Sequence, residues 1–357
     1  MKREIPFLRV ARTAGEKVRQ LLKQLSLIDI GQAVTRDERF IMFPLMREPS
    51  LQEWNLIRDL DSAAIAETAE LRNAGRGIRP RSIIEALRGS VDPNLLERVK
   101  HSFDIVGDIA IIEVPEELGS MKGSIGEGLI KVHKNVKTVL CKSGAVDGRF
   151  RVRDYELVAG EKRTETIYTE HGCRFMLDVT KVYFSPRLAT EHIRVSSQAS
   201  ASEIVVDMFA GIGPFSILIA KKKGAQVYSI DANPDAIKYL KTNCKLNKVE
   251  NLVHPMLGDA RELIPKNLEA KADRIIMNLP SESLEFIDVA CLALKTEGGV
   301  IHCYQFQTAP DPIGKAVEAL RVKIEMTKRK IRRVSKAKLV KSVAPHEWYV
   351  AVDAEVS

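Results

Sequence analysis

No uninterrupted apolar run in this chain approaches the length a bilayer span needs, so a transmembrane helix is not expected. The N-terminus, Met1-Lys2-Arg3-Glu4-Ile5-Pro6, lacks an apolar signal core. Cysteines are few: Cys141, Cys173, Cys244, Cys291 and Cys303 are odd in number and form no Cys-x-x-Cys. That argues against a disulfide framework or a metal site, and a reducing cytoplasm fits. Internal repeats and low-complexity tracts are absent. What remains is ordinary for a soluble globular protein, with 45% hydrophobic and 29% charged residues. At 357 residues the chain is too long for one compact core, and two or three domains are expected. Acids are also in deficit. The net charge of +8 and the pI of about 9.1 favour a polyanionic partner. Between positions 321 and 341 there are ten Lys or Arg and one acid, Glu325. Such a run fits either a nucleic-acid contact or a solvated lysine-rich face.

Three segments are expected: a small N-terminal module over 1–72, an α+β module over 80–200 and an alternating α/β domain over 201–357. In the first, strands are expected at 5–10, 28–34 and 40–44. Val18, Leu21, Leu22 and Leu25 share one helix face, and the Ala- and Glu-rich stretch 59–72 reads as helical. Residues 73–80, with two Gly, a Pro and two Arg from Gly75 to Pro80, read as a linker or basic loop. In the second segment, 82–87 and a stretch from 93 read as helices, 103–114 as a strand or hairpin, and 116–132 as helical. Strands are expected at 136–141, 150–158 and 166–179, with His171-Gly172 as a hairpin turn. In the third segment, strands at 204–208, 226–230, 252–257, 273–277 and 299–304 alternate with helices, including 234–246 and 282–294. Stretches 322–329 and 347–353 read as two strands without a helix between them. The pattern predicts a doubly wound, seven-stranded sheet with an antiparallel edge.

The most informative stretch is Asp207-Met208-Phe209-Ala210-Gly211-Ile212-Gly213-Pro214-Phe215, a strand end, a tight turn and a helix start. Twenty residues beyond Gly211, Asp231 ends the next strand and can accept hydrogen bonds from ribose hydroxyls. A dinucleotide motif would need a third Gly at 216, where Ser216 stands, and an acid at 207 would repel a pyrophosphate. The acid suits a ligand with a cationic end. D-M-F-A-G-I-G resembles motif I of the class I S-adenosylmethionine-dependent methyltransferases. Asp259 falls after the third strand, and Asn278-Leu279-Pro280-Ser281 after the fourth. Amino-group methyltransferases often carry an aromatic in that tetrad. None stands here, so an exocyclic adenine amine is not the expected target. No Cys stands beside the tetrad to serve a covalent cytosine mechanism. Asn278 could also cap the following helix.

Two further clusters lie upstream. Positions 181–192 (K-V-Y-F-S-P-R-L-A-T-E-H) bring Tyr183, Arg187 and Glu191 together just before the Gly-rich turn. Aromatics there can stack on a flipped base and an Arg can bind phosphate. The alternative is a capped helix start with Glu191 on a solvated face. Arg149, Arg151 and Arg153 alternate along one expected strand face, which must meet solvent or an anion.

Taken together, F-R-V-R, A-G-E-K-R-T-E-T-I-Y, K-V-Y-F-S-P-R-L-A-T-E, V-V-D-M-F-A-G-I-G-P-F-S-I, M-N-L-P, G-G-V-I-H-C-Y, S-V-A-P-H-E-W-Y and H-K-N-V-K-T-V resemble the archaeal and eukaryotic tRNA (guanine-37-N1)-methyltransferase family. The resemblance covers most of the chain. It implies a Rossmann-like class I methyltransferase domain preceded by an α+β RNA-binding module and a small N-terminal α/β module that meets the tRNA elbow. It also implies methyl transfer from S-adenosylmethionine to guanine N1 in the anticodon loop, by a cytoplasmic monomer. By the same resemblance, Arg151 stabilises charge on guanine O6, Glu191 takes the N1 proton, Asn278 holds the guanine edge and Pro280 shapes that loop. Tyr183 would lie near the reacting base, and Arg187 would help bind the substrate. Asp207, Phe209, Gly211, Gly213, Asp231, Asp259 and Asn278 would surround the cofactor. The competing readings are a wyosine-pathway enzyme, either an aminocarboxypropyl transferase or a methyltransferase also acting on the tricyclic precursor, and a non-catalytic RNA-binding protein.

Overall fold

The computed structural model describes residues 4–29, 32–70, 80, 82–87, 98, 103–144 and 153–357. The chain forms two compact units, Met1–Ala86 and Leu87–Ser357. The division expected near residue 200 therefore falls inside the second unit.

In the first unit, four antiparallel strands are ordered β2-β3-β1-β4: β1 Glu4–Ala11, β2 Thr35–Arg36, β3 Phe40–Pro44 and β4 Ile65–Glu70. Helices Gly15–Gln24 and Leu51–Leu60 supply Val18, Leu22 and Ile57 to a core with Leu8, Val10, Phe43 and Leu45. Two expectations are corrected here. The helix placed at 59–72 starts earlier, at Leu51, because Ser50 and Glu53 form a reciprocal capping box. It stops at Leu60, and 65–70 instead pairs antiparallel with β1, whose backbone groups need a partner on that side. The strand placed at 28–34 is reduced, among the described residues, to one bridge between Ile28 and Leu45. The linker read at 73–80 and the helix read from 93 fall on residues that, apart from Pro80 and Arg98, lie outside those described.

The second unit begins with a sheet ordered β5-β6-β7-β8: β5 Asp104–Val106, β6 Ile109–Ile112, β7 Thr138–Lys142 and β8 Tyr155–Gly160. A helix, Lys122–Val132, packs on it. The hairpin of β9 (Glu165–Glu170) and β10 (Cys173–Asp178) turns at His171 and Gly172, with φ of 47° and 79°. Two consecutive left-handed residues match the twist of the flanking strands, as the His-Gly pair predicts.

The large sheet is ordered β13-β12-β11-β14-β15-β17-β16: β11 Ile204–Asp207, β12 Gln226–Asp231, β13 Val253–Leu257, β14 Arg274–Met277, β15 Gly299–Thr308, β16 Ile331–Ala344 and β17 Glu347–Val356. β11 to β15 are parallel, and β17 and β16 close the edge antiparallel. The strand expected at 322–329 is instead the end of helix Pro312–Glu325 and a turn. Ala316, Leu320 and Ile324, four apart, bury one helical face there. The basic run goes on into β16. One apolar core joins Phe175 and Leu177 of the hairpin to Val205, Leu218 and Val227 of the large sheet. A second core covers the opposite sheet face with Ile264, Ile287 and Leu320. Among the described residues no helix is long and apolar enough to cross a membrane.

Candidate functional site

The chain winds outward from β11 to β13 and then returns to β14 beside β11, so the order of winding, though not the strand direction, reverses between those two parallel strands. Ligands bind at the carboxyl ends of strands at such a switch point. A crevice of about 430 Å³ opens there, lined among others by Phe209, Gly211, Asp231, Asp259, Asn278 and Pro280, with Tyr183 and Tyr349 at its side.

Each acid has a distinct task. The Asp231 carboxylate accepts the backbone N–H groups of Gly211 (2.7 Å) and Asn233 (2.8 Å), which fixes it at the crevice wall. Burial pushes its pKa up, against those two hydrogen bonds. Asp259 caps helix Ala260–Asn267 by accepting from the Arg261 N–H at 2.9 Å. Asp207 is fully buried and does not line the crevice. It accepts from the Ser216 hydroxyl at 2.7 Å and holds the turn from behind. Burial pushes its pKa up to about 7, and its Oδ1 has no partner among the described residues. The two turn glycines also differ. Gly211 (φ 55°) faces open space, and the nearest atom to an added Cβ is 3.9 Å away, so a side chain there would project into the crevice. Gly213 (φ 91°) packs away from it, and an added Cβ would come within 2.3 Å of Leu240.

Three side-chain rows cross β15, β17 and β16 on the face beneath helix Ala189–Gln198. Register places His302 with Asp353 and Lys336, Tyr304 with Ala351 and Lys338, and Phe306 with Tyr349 and Lys341. Glu191 descends from the helix onto the middle row and is fully buried. Its Oε2 accepts from Arg194 (2.9 Å) and Tyr304 (3.1 Å), and its Oε1 accepts from Lys338 (2.9 Å). Burial pushes the Glu191 pKa up, but hydrogen bonds and charges from Arg194 and Lys338 outweigh it, and the carboxyl is held below its ordinary value. Arg194 also pairs with Asp353, which accepts from His302 Nδ1 at 2.7 Å. His302 Nε2 faces Arg274 Nη1 at 2.7 Å, and arginine can only donate, so the histidine is neutral with its proton on Nδ1.

Sequence reading did not single out Tyr304, Tyr349, Arg194 or Lys338. Tyr304 and Tyr349 end two of the matched stretches and Lys338 lies in the basic run, but no local spacing relates them to Glu191, and only strand register brings them to it. The Tyr304 and Tyr349 rings lie 5.6 Å apart, and the Tyr349 hydroxyl donates to Asn278 Oδ1. One continuous path of side chains thus connects Glu191 to Asn278, although Glu191 itself does not line the crevice. Asn278 does not cap a helix; the turn after β14 leads to Glu282, which precedes the short 3-10 helix Ser283–Phe286.

Tyr183 also borders a second cavity of about 270 Å³, lined by Lys142, Arg153, Tyr155, Arg187 and Lys341. Arg187 pairs there with Asp104 at 2.7 Å. Arg149 and Arg151 lie outside the described residues. Among the described residues no three His, Cys, Asp or Glu side chains cluster as metal ligands.

Residues 166–337 match the model of the TRM5/TYW2 methyltransferase domain, and 83–164 match that of the TYW2 N-terminal domain. The tRNA (guanine(37)-N(1))-methyltransferase Trm5b of Pyrococcus abyssi is 43% identical over 343 residues, 96% of each chain. The structure described as the complex of aTrm5 and tRNALeu is similar with a TM-score of 0.76 at 33% identity, covering 98% of this chain and 99% of that one. Methanocaldococcus jannaschii TYW2 in complex with AdoMet is similar with a TM-score of 0.56 at 31% identity, covering 72% of this chain and 99% of that one.

Proposed function

We propose a division of catalytic labour for a chain that belongs to the TRM5/TYW2 family of tRNA methyltransferases and, like its full-length relatives, methylates N1 of guanine 37 in tRNA. S-adenosylmethionine supplies the methyl group from its sulfonium carbon. The crevice suits it: Gly211 leaves room for a close approach, and Asp231 stands where a ribose would present its hydroxyls.

Guanine N1 carries a proton and is a poor nucleophile until that proton leaves. Glu191 takes it in this reading, Arg151 stabilises the negative charge that grows on O6, and Asn278 holds the guanine edge with Pro280 shaping the loop. Arginine suits the O6 task because it stays charged and its donors form a rigid fork. The observation that carries the assignment is the linkage of Glu191 to Asn278 through Tyr304 and Tyr349. A base must be ionised before it acts, and the lowered pKa of Glu191 meets that condition. Tyr183 and Arg187 contact the RNA. The anticodon loop meets the second unit, which takes in the module expected at 80–200 from Leu87 onward and all of 201–357, the elbow meets the N-terminal unit, and the enzyme acts as a monomer in the cytoplasm.

Incubation with an unmodified tRNA transcript and S-adenosylmethionine, then nucleoside mass spectrometry, should yield 1-methylguanosine at one site. A mass gain matching an aminocarboxypropyl group would point to the wyosine chemistry instead. Glu191→Gln and Arg151→Ala should each lower the methyl-transfer rate by about a hundredfold or more, with cofactor affinity little changed. Equal losses of rate and cofactor binding would overturn the assignment.

A further inference from the structure

Three donors hold Glu191, and they differ in their freedom. Arg194, on the same helix, is also tied to Asp353. Tyr304, from β15, is fully buried. Lys338, from edge strand β16, is 35% exposed and reaches Oε1 alone. From β17 the facing residue is the small, neutral Ala351, over which the Tyr304 hydroxyl and the Lys338 ammonium converge; Asp353 stands one row away behind Arg194. His192, next in the chain, is paired with Glu170 and not with Glu191. Only the Lys338 contact can therefore open without unpacking the core. As it stands, Glu191 is fully buried, with Oε2 held by Arg194 and Tyr304 and Oε1 held by Lys338.

Register sets Lys336, Lys338 and Lys341 along one face of the same edge strand. A bound RNA backbone tracking that line would offer the Lys338 ammonium a phosphate in exchange for the carboxylate.

We propose that Lys338 is a positioning residue for the methyl transfer: it holds Glu191 Oε1 in the RNA-free enzyme, and an RNA phosphate draws it away so that this oxygen becomes the acceptor for the guanine N1 proton. The proton then passes from N1 to Oε1. The N1 electron pair forms the new N–CH3 bond, and the methyl–sulfur pair returns to sulfur, leaving a neutral thioether. This inference rests on Glu191 as the base. It adds that the base is released by substrate.

Lys338→Met, with Lys338→Gln as a second variant, tests it through two measurements. The pH dependence of kcat/KM reports the free enzyme and that of kcat reports the complex. Without the ammonium the Glu191 pKa rises, so the acid limb of kcat/KM should move up by about one pH unit, while the acid limb of kcat stays in place. The log–log salt dependence of RNA binding, measured without cofactor, should flatten by about 0.7 for one lost phosphate contact. Acid limbs that move together, an unmoved kcat/KM limb, or an unchanged salt slope would each overturn the proposal. Full activity with an intact acid limb in Glu191→Gln would instead remove the base assignment, whatever Lys338 does.

Discussion

Single residues here are set by burial and by who donates to them. His302 is held neutral because burial opposes its charged form and because Arg274 occupies its Nε2; its pKa is lowered. Burial pushes Asp353 up, but hydrogen bonds from His302, Arg194 and Gln198 outweigh it and hold its carboxyl below the ordinary value. A group whose folded pKa is depressed binds fewer protons folded than unfolded. Its contribution to stability is present above the unfolded value and lost as pH falls. For His302 that loss begins near pH 6.5, and Asp353 adds to it at lower pH. The melting temperature should therefore drop on acidification from pH 7.5 to 5.5. His302→Gln, which can still donate to Asp353 and accept from Arg274, should flatten that drop. An identical pH dependence in the variant would show that His302 is not its source.

At the scale of elements, the β11 turn divides its work between two glycines. Gly213 starts helix Pro214–Lys223 in a left-handed conformation against Leu240. Gly213→Ala should cost about 1–3 kcal/mol from strain and overpacking, read as a lowered denaturation midpoint. Gly211→Ala would meet only the Tyr183 carbonyl oxygen, at an ordinary contact distance, so its cost should stay near the left-handed penalty of about 1–2 kcal/mol. Its larger effect should be weaker S-adenosylmethionine binding, seen by calorimetry. Should Gly211→Ala bind the cofactor normally, the crevice would not be the cofactor site. The edge pair β17–β16 shows the same economy: its inner face buries Tyr349 and Asp353, while Arg332 and Lys336 on β16 remain exposed.

For the whole molecule, the excess of eight positive charges is a statement about its partner. Lysines of β16 and the second cavity's Lys142, Arg153 and Lys341 belong to one unit. If about five phosphates are neutralised, log Kd for tRNA should change with log salt by a slope of about 3.5 in magnitude, or more where the RNA is duplex. Filter binding between 50 and 300 mM salt measures it, and a slope near zero would exclude a backbone-tracking interface.

The sequence alone carried the doubly wound sheet, the Gly-rich turn, Asp231 at its expected distance and the His171-Gly172 hairpin, because each depends on local spacing and turn chemistry. It misplaced the helix at 59–72, where a capping box and a distant pairing partner outweighed composition, and the strand at 322–329, where the buried face of Ala316, Leu320 and Ile324 extends a helix to Glu325. Tyr304, Tyr349, Arg194 and Lys338 reach Glu191 and Asn278 only through the register of β15, β17 and β16 and the helix laid over them. That juxtaposition spans more than a hundred residues of chain, from Glu191 to Tyr304, and no local pattern encodes it. Tertiary packing therefore decided which donors hold Glu191, and strand position decided that Lys338 alone among them reaches it from an edge strand.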